Sequence, residues 1–111
     1  MVDTVSQTAT IALNASLSGA VAIGEKVAVG VLMPGTWDVA NLTFQGSVDG
    51  QAFSNVYDSS GNELTVTAAA SRYIYLDPSV FVGLNQIKVR SGTSGVPVNQ
   101  TAARSLSFVT R

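Results

Sequence analysis

Residues 41–50 read Asn-Leu-Thr-Phe-Gln-Gly-Ser-Val-Asp-Gly, and this stretch decides the fold. Leu, Phe, Gly and Val occupy every second position from 42 to 48, which is the period of a strand with one face in a core. The pair Asp49-Gly50 that follows is a strong signal for a two-residue hairpin turn. The stretch therefore predicts a β-hairpin within an antiparallel sheet.

Short β-prone runs of the same kind recur on both sides of this hairpin, separated by the Gly, Asn, Asp, Ser and Pro residues that form turns. No segment carries a sustained helical period, and only residues 78–82, with Asp77 as N-cap, predict a single helical turn. We therefore predict an all-β fold, an antiparallel β-sandwich of seven to eight strands. Its core is predicted from the more apolar face of each strand. The predicted core residues are Ile11, Leu13, Val29, Phe44, Phe53, Val66, Ile74, Ile87, Val89, Leu106 and Phe108.

The chain of 111 residues is long enough for one domain with one core. Residues 8–111 are predicted to form this domain as a single β-sandwich. Residues 1–7 show no apolar face and predict an N-terminal arm. Such an arm gains order by adding a strand to the open edge of a neighbouring copy, and Val2 and Val5 would anchor it.

The composition favours association with other protein surfaces. Charged residues make up only 12% of the chain, about half the usual share, so copies repel one another weakly. The net charge is −1 and the six basic residues are scattered, which argues against nucleic acid and anionic membranes as partners. The first residues lack a basic segment followed by an apolar run, so we expect no signal peptide.

The residue types needed for most enzyme chemistry are missing. The chain has no His and no Cys, so the commonest catalytic bases, nucleophiles and zinc ligands are absent. The acidic residues Asp49, Asp58 and Asp77 lie beside Gly, Ser or Pro, where aspartate caps turns for structural reasons, and Glu63 follows the turn residues Gly61 and Asn62. We predict that the protein is not an enzyme and has no catalytic residue, cofactor site or metal site. A calcium site at residues 58–63 is the alternative to a solvated hairpin loop.

Aromatic residues provide the candidate contact surface. Trp37 follows a Pro-Gly turn, where it either forms a ligand platform or caps the open end of the core, and the core cap is favoured. Tyr73 and Tyr75 lie on the strand face opposite Ile74, which predicts either a surface for contacts or burial on both faces of the strand. The candidate contact residues are Val2, Val5, Trp37, Tyr73 and Tyr75.

Three segments resemble the hairpin and later strands of discoidin-like domains, also called galactose-binding-like domains. They are residues 42–53, with a Ser-x-Asp-Gly turn, residues 72–76 (Arg-Tyr-Ile-Tyr-Leu) and residues 87–90 (Ile-Lys-Val-Arg). The resemblance implies that the sandwich is a jelly roll. It also implies an alternative function, a carbohydrate- or surface-binding module on a phage tail or fibre, with a sugar as ligand.

The whole chain resembles the short structural proteins encoded in tailed-phage and prophage gene clusters. The resemblance is carried by Met-Pro-Gly-Thr-Trp at 33–37, Val-Asp-Gly at 48–50, Tyr57-Asp58, Arg-Ser-Gly-Thr at 90–93 and Pro97-Val98. It implies a non-enzymatic virion protein, assembled in the bacterial host cytoplasm, that decorates or cements the capsid. The implied partners are the major capsid protein or other virion proteins and copies of the chain itself. A trimer would suit the local threefold sites of an icosahedral shell.

Overall fold

The computed structural model describes residues 4–111, which form eight strands and one helical turn. Each strand is short, because turn-forming residues interrupt every apolar run. The strands are Val5–Ile11 (β1), Val21–Ala22 (β2), Ala28–Leu32 (β3), Leu42–Ser47 (β4), Ser54–Asn55 (β5), Tyr73–Tyr75 (β6), Gln86–Ser91 (β7) and Arg104–Thr110 (β8).

The strands form two four-stranded sheets, in the orders β1-β8-β3-β6 and β2-β7-β4-β5. The pairings between neighbouring strands are antiparallel in both sheets. One cluster of buried apolar side chains draws on both sheets. The prediction of an all-β antiparallel fold with seven to eight strands is therefore confirmed, and two sheets over one core are the arrangement of a sandwich. The jelly roll stays a prediction.

The helical turn α1, Pro78–Phe81, begins where the sequence predicted it. Asp77 is the N-cap, and its Oδ1 accepts hydrogen bonds from the Ser79 main-chain N–H at 3.0 Å and from the Ser79 hydroxyl at 2.8 Å. The turn has one buried residue, Phe81, which the sequence did not predict as part of the core. This short turn therefore closes one side of the core.

Three phenylalanines mark the centre of the core. The Phe44 ring meets the Phe81 ring edge to face at a centroid distance of 5.3 Å, and the Phe108 ring lies 6.2 Å away. Val66 and Ile74 are partly buried against this cluster. The predicted core residues that the structure buries fully are Ile11, Phe44, Ile87, Val89, Leu106 and Phe108.

Three predicted core residues lie elsewhere, each for a local reason. Leu13 is 58% exposed, because β1 ends at Ile11 and the chain turns through Asn14 with a φ of +64°. The register of β3 against β8 shifts between Ala28 and Gly30, and this irregularity places Val29 outside the core cluster. Phe53 lies beside the Lys88 ammonium group at 4.4 Å from the ring centroid, outside the core cluster.

The predicted arm is also corrected, because β1 begins at Val5 and not at residue 8. Val5 pairs with Thr110 and Gln7 with Phe108, and the Thr110 hydroxyl donates to the Val5 carbonyl oxygen at 3.0 Å. Val5 and Gln7 lie on the same inward-facing side of β1 as Ala9, so residues 5–7 belong to the sheet. Val2, the other proposed anchor, lies outside the described residues.

Candidate interaction face

The outer face of the sheet β1-β8-β3-β6 is formed by three rows of residues without a charged side chain. Leu106 and Phe108 of β8 are buried, so the residues that alternate with them, Ser105, Ser107 and Val109, point outward. The strand register places each of these three beside outward-facing residues of the neighbouring strands. We call this surface the uncharged face. The rows are Ser6-Val109-Gly30-Tyr75, Thr8-Ser107-Leu32-Tyr73 and Thr10-Ser105.

The two halves of the uncharged face differ in chemistry. Hydroxyl side chains, with Val109 as the one exception, cover the half formed by β1 and β8, where the Thr10 and Ser105 hydroxyl oxygens lie 3.4 Å apart. Larger side chains cover the other half, where Leu32, Tyr73 and Tyr75 are 49%, 54% and 70% exposed. A partner that covers these three rows alone buries hydroxyl and apolar groups and desolvates no charge, which lowers the cost of association.

Tyr73 is held in place by a glycine on the neighbouring strand. A Cβ atom built on Gly30 would lie only 1.9 Å from the Tyr73 hydroxyl oxygen, so the ring crosses directly over the glycine main chain. Tyr73 is the diagonal neighbour of Gly30, whose direct partner is Tyr75, and an aromatic ring that covers a strand glycine shields the glycine main chain. Any side chain at position 30 would displace this ring, so Gly30 and Tyr73 together shape the apolar half of the face.

The outer face of the second sheet is charged, in contrast. The Arg90 guanidinium donates to Asn55 Oδ1 at 2.7 Å and to Thr43 Oγ1 and Glu63 Oε2, both at 3.3 Å. The Glu63 carboxylate also accepts from the Ser94 main-chain N–H at 3.2 Å. The charge of Arg90 is thus satisfied within the chain. One outer face of the sandwich therefore carries charged side chains and the other does not.

A second polar network lies at one end of the sandwich, around the fully buried side chain of Gln100. Gln100 Oε1 accepts from the Asp38 N–H at 2.9 Å and from Arg104 Nε at 3.0 Å. Its amide group donates to Ser91 Oγ at 2.7 Å and to the Asp38 carbonyl oxygen at 3.1 Å. The Gln100 carbonyl oxygen also accepts from the Asn14 N–H at 2.9 Å. One glutamine therefore joins three loops to β7 and β8.

Two aspartates have pKa values below the ordinary range. The Arg104 guanidinium donates to Asp38 Oδ1 and, as the largest cause, lowers the pKa of that carboxyl. Main-chain N–H groups of Gln51 and then Ala52, together with the Ser47 hydroxyl, lower the pKa of Asp49. Both carboxylates are acceptors within the chain, which leaves them a structural role.

Acid should therefore destabilise the fold. A carboxyl whose pKa is lower when folded than when unfolded contributes stability above its unfolded pKa, about 3.9, and this is lost as pH falls through the folded pKa. We expect the urea midpoint to be nearly constant from about pH 5 to 7 and to fall below about pH 4. Asp38→Asn should lower the midpoint at pH 7 and flatten its dependence on acid. An equally steep acid dependence in Asp38→Asn would contradict this assignment.

The structure separates the residues predicted as a contact surface. Tyr73 and Tyr75 lie together on the uncharged face and are exposed. Trp37 is only 8% exposed and donates from Nε1 to the Ala40 carbonyl oxygen at 3.0 Å, so it caps the core and is not a contact residue. Val5 is half-buried on the inward side of β1. The sequence analysis missed Leu32 and the hydroxyl rows, although the alternation of Ser6, Thr8 and Thr10 is readable in the sequence.

The surface also has two open clefts that could hold a small ligand. Two adjoining open clefts of about 310 and 360 Å³ share Val48 and Leu84 in their linings, at the end of the sandwich where β4 ends and β7 begins. Within residues 4–111, no group of three or more acidic side chains could hold a metal ion. In the loop of residues 58–63, for which calcium was the alternative to a solvated turn, Asp58 Oδ1 accepts from the main-chain N–H groups of Ser60 and Asn62 at 2.9 and 3.0 Å. This aspartate closes its own turn.

Comparisons with models of protein families, with curated proteins and with solved structures found no match to this chain. No helix in the part of the chain that the structure describes is long and apolar enough to cross a membrane.

Proposed function

We propose that the protein is a non-enzymatic structural protein of a tailed-phage virion that decorates or cements the capsid. The resemblance of the sequence to short phage structural proteins supports this proposal. The single structural observation that supports it most is the uncharged face, a four-stranded surface whose outward residues include no acid or base. In this proposal the uncharged face lies against the shell and the charged face of the second sheet lies toward solvent.

The burial of charge explains this orientation. An ionised side chain covered by a partner without a matched counter-charge loses its hydration, which costs several kcal/mol. The three rows of the uncharged face would bring no ionised group under a partner, whereas the other face carries the half-buried Lys88, whose ammonium group contacts the Phe53 ring. The proposed partners are the major capsid protein or another virion protein, together with copies of the chain itself. The virion is the proposed location, after assembly in the bacterial host cytoplasm.

A jelly-roll connectivity belongs to the same proposal. Six of the seven steps from one strand to the next cross between the sheets, all but β4 to β5. Eight strands that alternate between two antiparallel sheets are what paired Greek keys produce. This order supports a jelly roll, a fold class that occurs in viral capsid proteins.

A carbohydrate-binding module on a tail or fibre is the second candidate function. The exposed rings of Tyr73 and Tyr75 favour it, because tyrosine offers an apolar surface and a hydroxyl group to a sugar ring. The uncharged face has no amide or carboxylate to accept hydrogen bonds from sugar hydroxyls. Capsid attachment is therefore the better-supported function.

The test is to place one charge on the uncharged face. Leu32→Lys should weaken co-sedimentation with capsids of the encoding phage that lack this protein by roughly tenfold or more, because the ammonium group would be desolvated without a counter-charge. Ala22→Lys is the matched control, since Ala22 is exposed on the outer side of the second sheet. Unchanged attachment of Leu32→Lys, with both variants folded by circular dichroism, would refute the proposed orientation. Binding to a glycan surface that Tyr75→Ala abolishes would instead favour the carbohydrate module.

A further inference from the structure

The loop that follows β4 contains the dipeptide Asp49-Gly50, a peptide link of the kind that rearranges most readily to isoaspartate. It is the only Asp-Gly or Asn-Gly pair in the sequence. Because glycine has no side chain to shield its nitrogen, this nitrogen can approach the carboxyl carbon of the aspartate before it. Asp49 is exposed and Gly50 is half-buried. The chain therefore carries, at its surface, a pair of residues that can change covalently without an enzyme.

Isomerisation at such a pair needs only water. First the Gly50 nitrogen forms a bond to Asp49 Cγ, and the carboxyl hydroxyl and the amide proton leave together as water. The product is a cyclic succinimide. A water molecule then adds to the main-chain carbonyl carbon of Asp49 and breaks the bond from that carbon to the Gly50 nitrogen. The main chain afterwards runs through Cγ and is longer by a methylene group, and the mass of the protein is unchanged.

The Ser47 hydroxyl restrains the attacking nitrogen. The Gly50 N–H donates to Ser47 Oγ at 2.8 Å, and Ser47 is buried. The nitrogen attacks only after it has lost its proton, which is the event that amide exchange measures. A main-chain N–H in a hydrogen bond loses its proton only when that bond opens. The first step of isomerisation therefore has to wait for local opening of the loop.

The same loop restrains the carboxyl group. Asp49 Oδ1 accepts from the main-chain N–H groups of Gln51 and Ala52 at 2.8 and 3.1 Å, and from the Ser47 hydroxyl at 3.0 Å. These donors fix the direction of the carboxylate and favour its charged form, so the pKa of Asp49 is lowered. A carboxylate has to be protonated before its oxygen can leave as water. The ionised group is therefore a poor target for the Gly50 nitrogen.

We propose that Asp49-Gly50 is a latent site of isoaspartate formation and that the Ser47 hydroxyl keeps it unreactive in the folded protein. This hydroxyl binds both reacting groups, because it accepts from the Gly50 nitrogen and donates to the Asp49 carboxylate. Ser47 is the last residue of β4 and pairs with Gln86 of β7. The protection therefore depends on the sheet as well as on the loop.

Isomerisation would remove these contacts permanently. The side-chain carbonyl of Asp49 would become part of the main chain, and the loop between β4 and β5 would lengthen. Val48, which borders both open clefts, and the pairing of Gly46 with Ser54 lie next to this loop. The chemistry does not depend on the proposed function. Protection would nevertheless matter most to a protein that is assembled once into a particle and is not replaced there.

Long incubation of the whole folded protein near neutral pH, followed by measurement of isoaspartate at position 49, tests the proposal. A protease that cleaves before aspartate but not before isoaspartate provides the measurement. Ser47→Ala should raise the rate of isoaspartate formation roughly fivefold or more. Ser18→Ala is the matched control, because Ser18 is also buried and its Oγ accepts from a main-chain N–H, that of Val89, at 2.9 Å. The control should leave the rate at position 49 unchanged.

Two measurements separate protection by Ser47 from general loosening of the fold. In urea, unfolded wild type and unfolded Ser47→Ala should isomerise at the same rate, roughly tenfold or more above that of the folded wild type. Exchange of the Gly50 amide proton should be slow in the folded wild type and faster in Ser47→Ala. Equal rates of isomerisation in folded wild type and folded Ser47→Ala, or an equal increase in Ser18→Ala, would overturn the proposal. If Ser47→Ala does not fold, a Gly50 amide that exchanges as fast in folded as in unfolded wild type would overturn it.

Discussion

Replacing Phe44 with alanine should lower the free energy of unfolding by about 4 kcal/mol. The ring is fully buried between the two sheets and touches both other core phenylalanines, Phe81 and Phe108. Its removal loses the transfer free energy of the ring and leaves a cavity that strands held by hydrogen bonds on both sides cannot fill. Equilibrium unfolding in urea, with the slope of the transition unchanged, measures this loss.

Phe53→Ala is the matched control for this substitution. Phe53 is half-buried outside the core cluster, so the same change there should cost at most about 1–2 kcal/mol, chiefly from lost apolar contact and the lost Lys88 ammonium contact. A loss under about 1 kcal/mol for Phe44→Ala, or equal losses for the two variants, would show that Phe44 does not lie at the centre of the core.

Replacing Gln100 with alanine should cost about 3–4 kcal/mol, although the residue is polar and lies in a loop. Its side chain pairs with the Asp38 main chain, Ser91 and Arg104, and the whole residue is buried. Truncation would leave these partners without hydrogen bonds in a site closed to water, which costs more than the bonds themselves contribute. We expect the loss to appear in urea unfolding at pH 7.

Gln51→Ala provides the comparison, since Gln51 is exposed and only its main-chain N–H is bonded, to Asp49 Oδ1 at 2.8 Å. That variant should change stability by less than about 0.5 kcal/mol. If Gln100→Ala also changed the free energy of unfolding by less than about 0.5 kcal/mol, water or rearranged loops would have to replace the hydrogen bonds of Gln100. The Asp38 N–H donates to Gln100 Oε1, so its amide exchange would then be the same in the variant as in the wild type.

Alternation was enough to predict the fold class. Of the eleven predicted core residues, six are fully buried and two are partly buried against the core. Strands such as β4 and β8 have one face toward the core and one toward the outside, so their sequences carry the two-residue period directly. Asp77 and Pro78 likewise predicted α1 from local chemistry alone. The sequence therefore predicts the structure well for regular strands and for a helical turn whose N-cap lies next to it in the chain.

The wrong predictions concern places where a contact between distant segments, or one irregular residue, determines the strand register or the type of turn. The register shift near Val29 depends on how β3 meets β8, which lies far away in the chain. The loop after β4 is wider than the predicted two-residue turn, because the Ser47 hydroxyl and the Asp49 carboxylate accept from main-chain N–H groups there. Asp-Gly predicts a two-residue turn of type I′, in which both residues have a positive φ, but only Gly50 has one here.

The candidate interaction face was predicted only in part. Tyr73 and Tyr75 were readable as a pair on one side of a strand. The other rows come from strands that are distant in the chain, and their union depends on the order β1-β8-β3-β6. The position of a tyrosine ring over Gly30 is likewise a product of strand pairing. A single sequence does not encode that order in any local pattern.

The central place of β8 in its sheet has a consequence for biosynthesis. This strand pairs on one side with β1 and on the other with β3, and it is the last of the eight to leave the ribosome. Until it is made, β1 has no partner in its sheet and β3 is paired only with β6, so the nascent chain exposes unpaired edges and the apolar sides of both strands. Folding must therefore wait for residues 104–110, and contacts such as Val5 with Thr110 make closure slow. The period between translation and closure is when this chain is most open to aggregation and to recognition by chaperones.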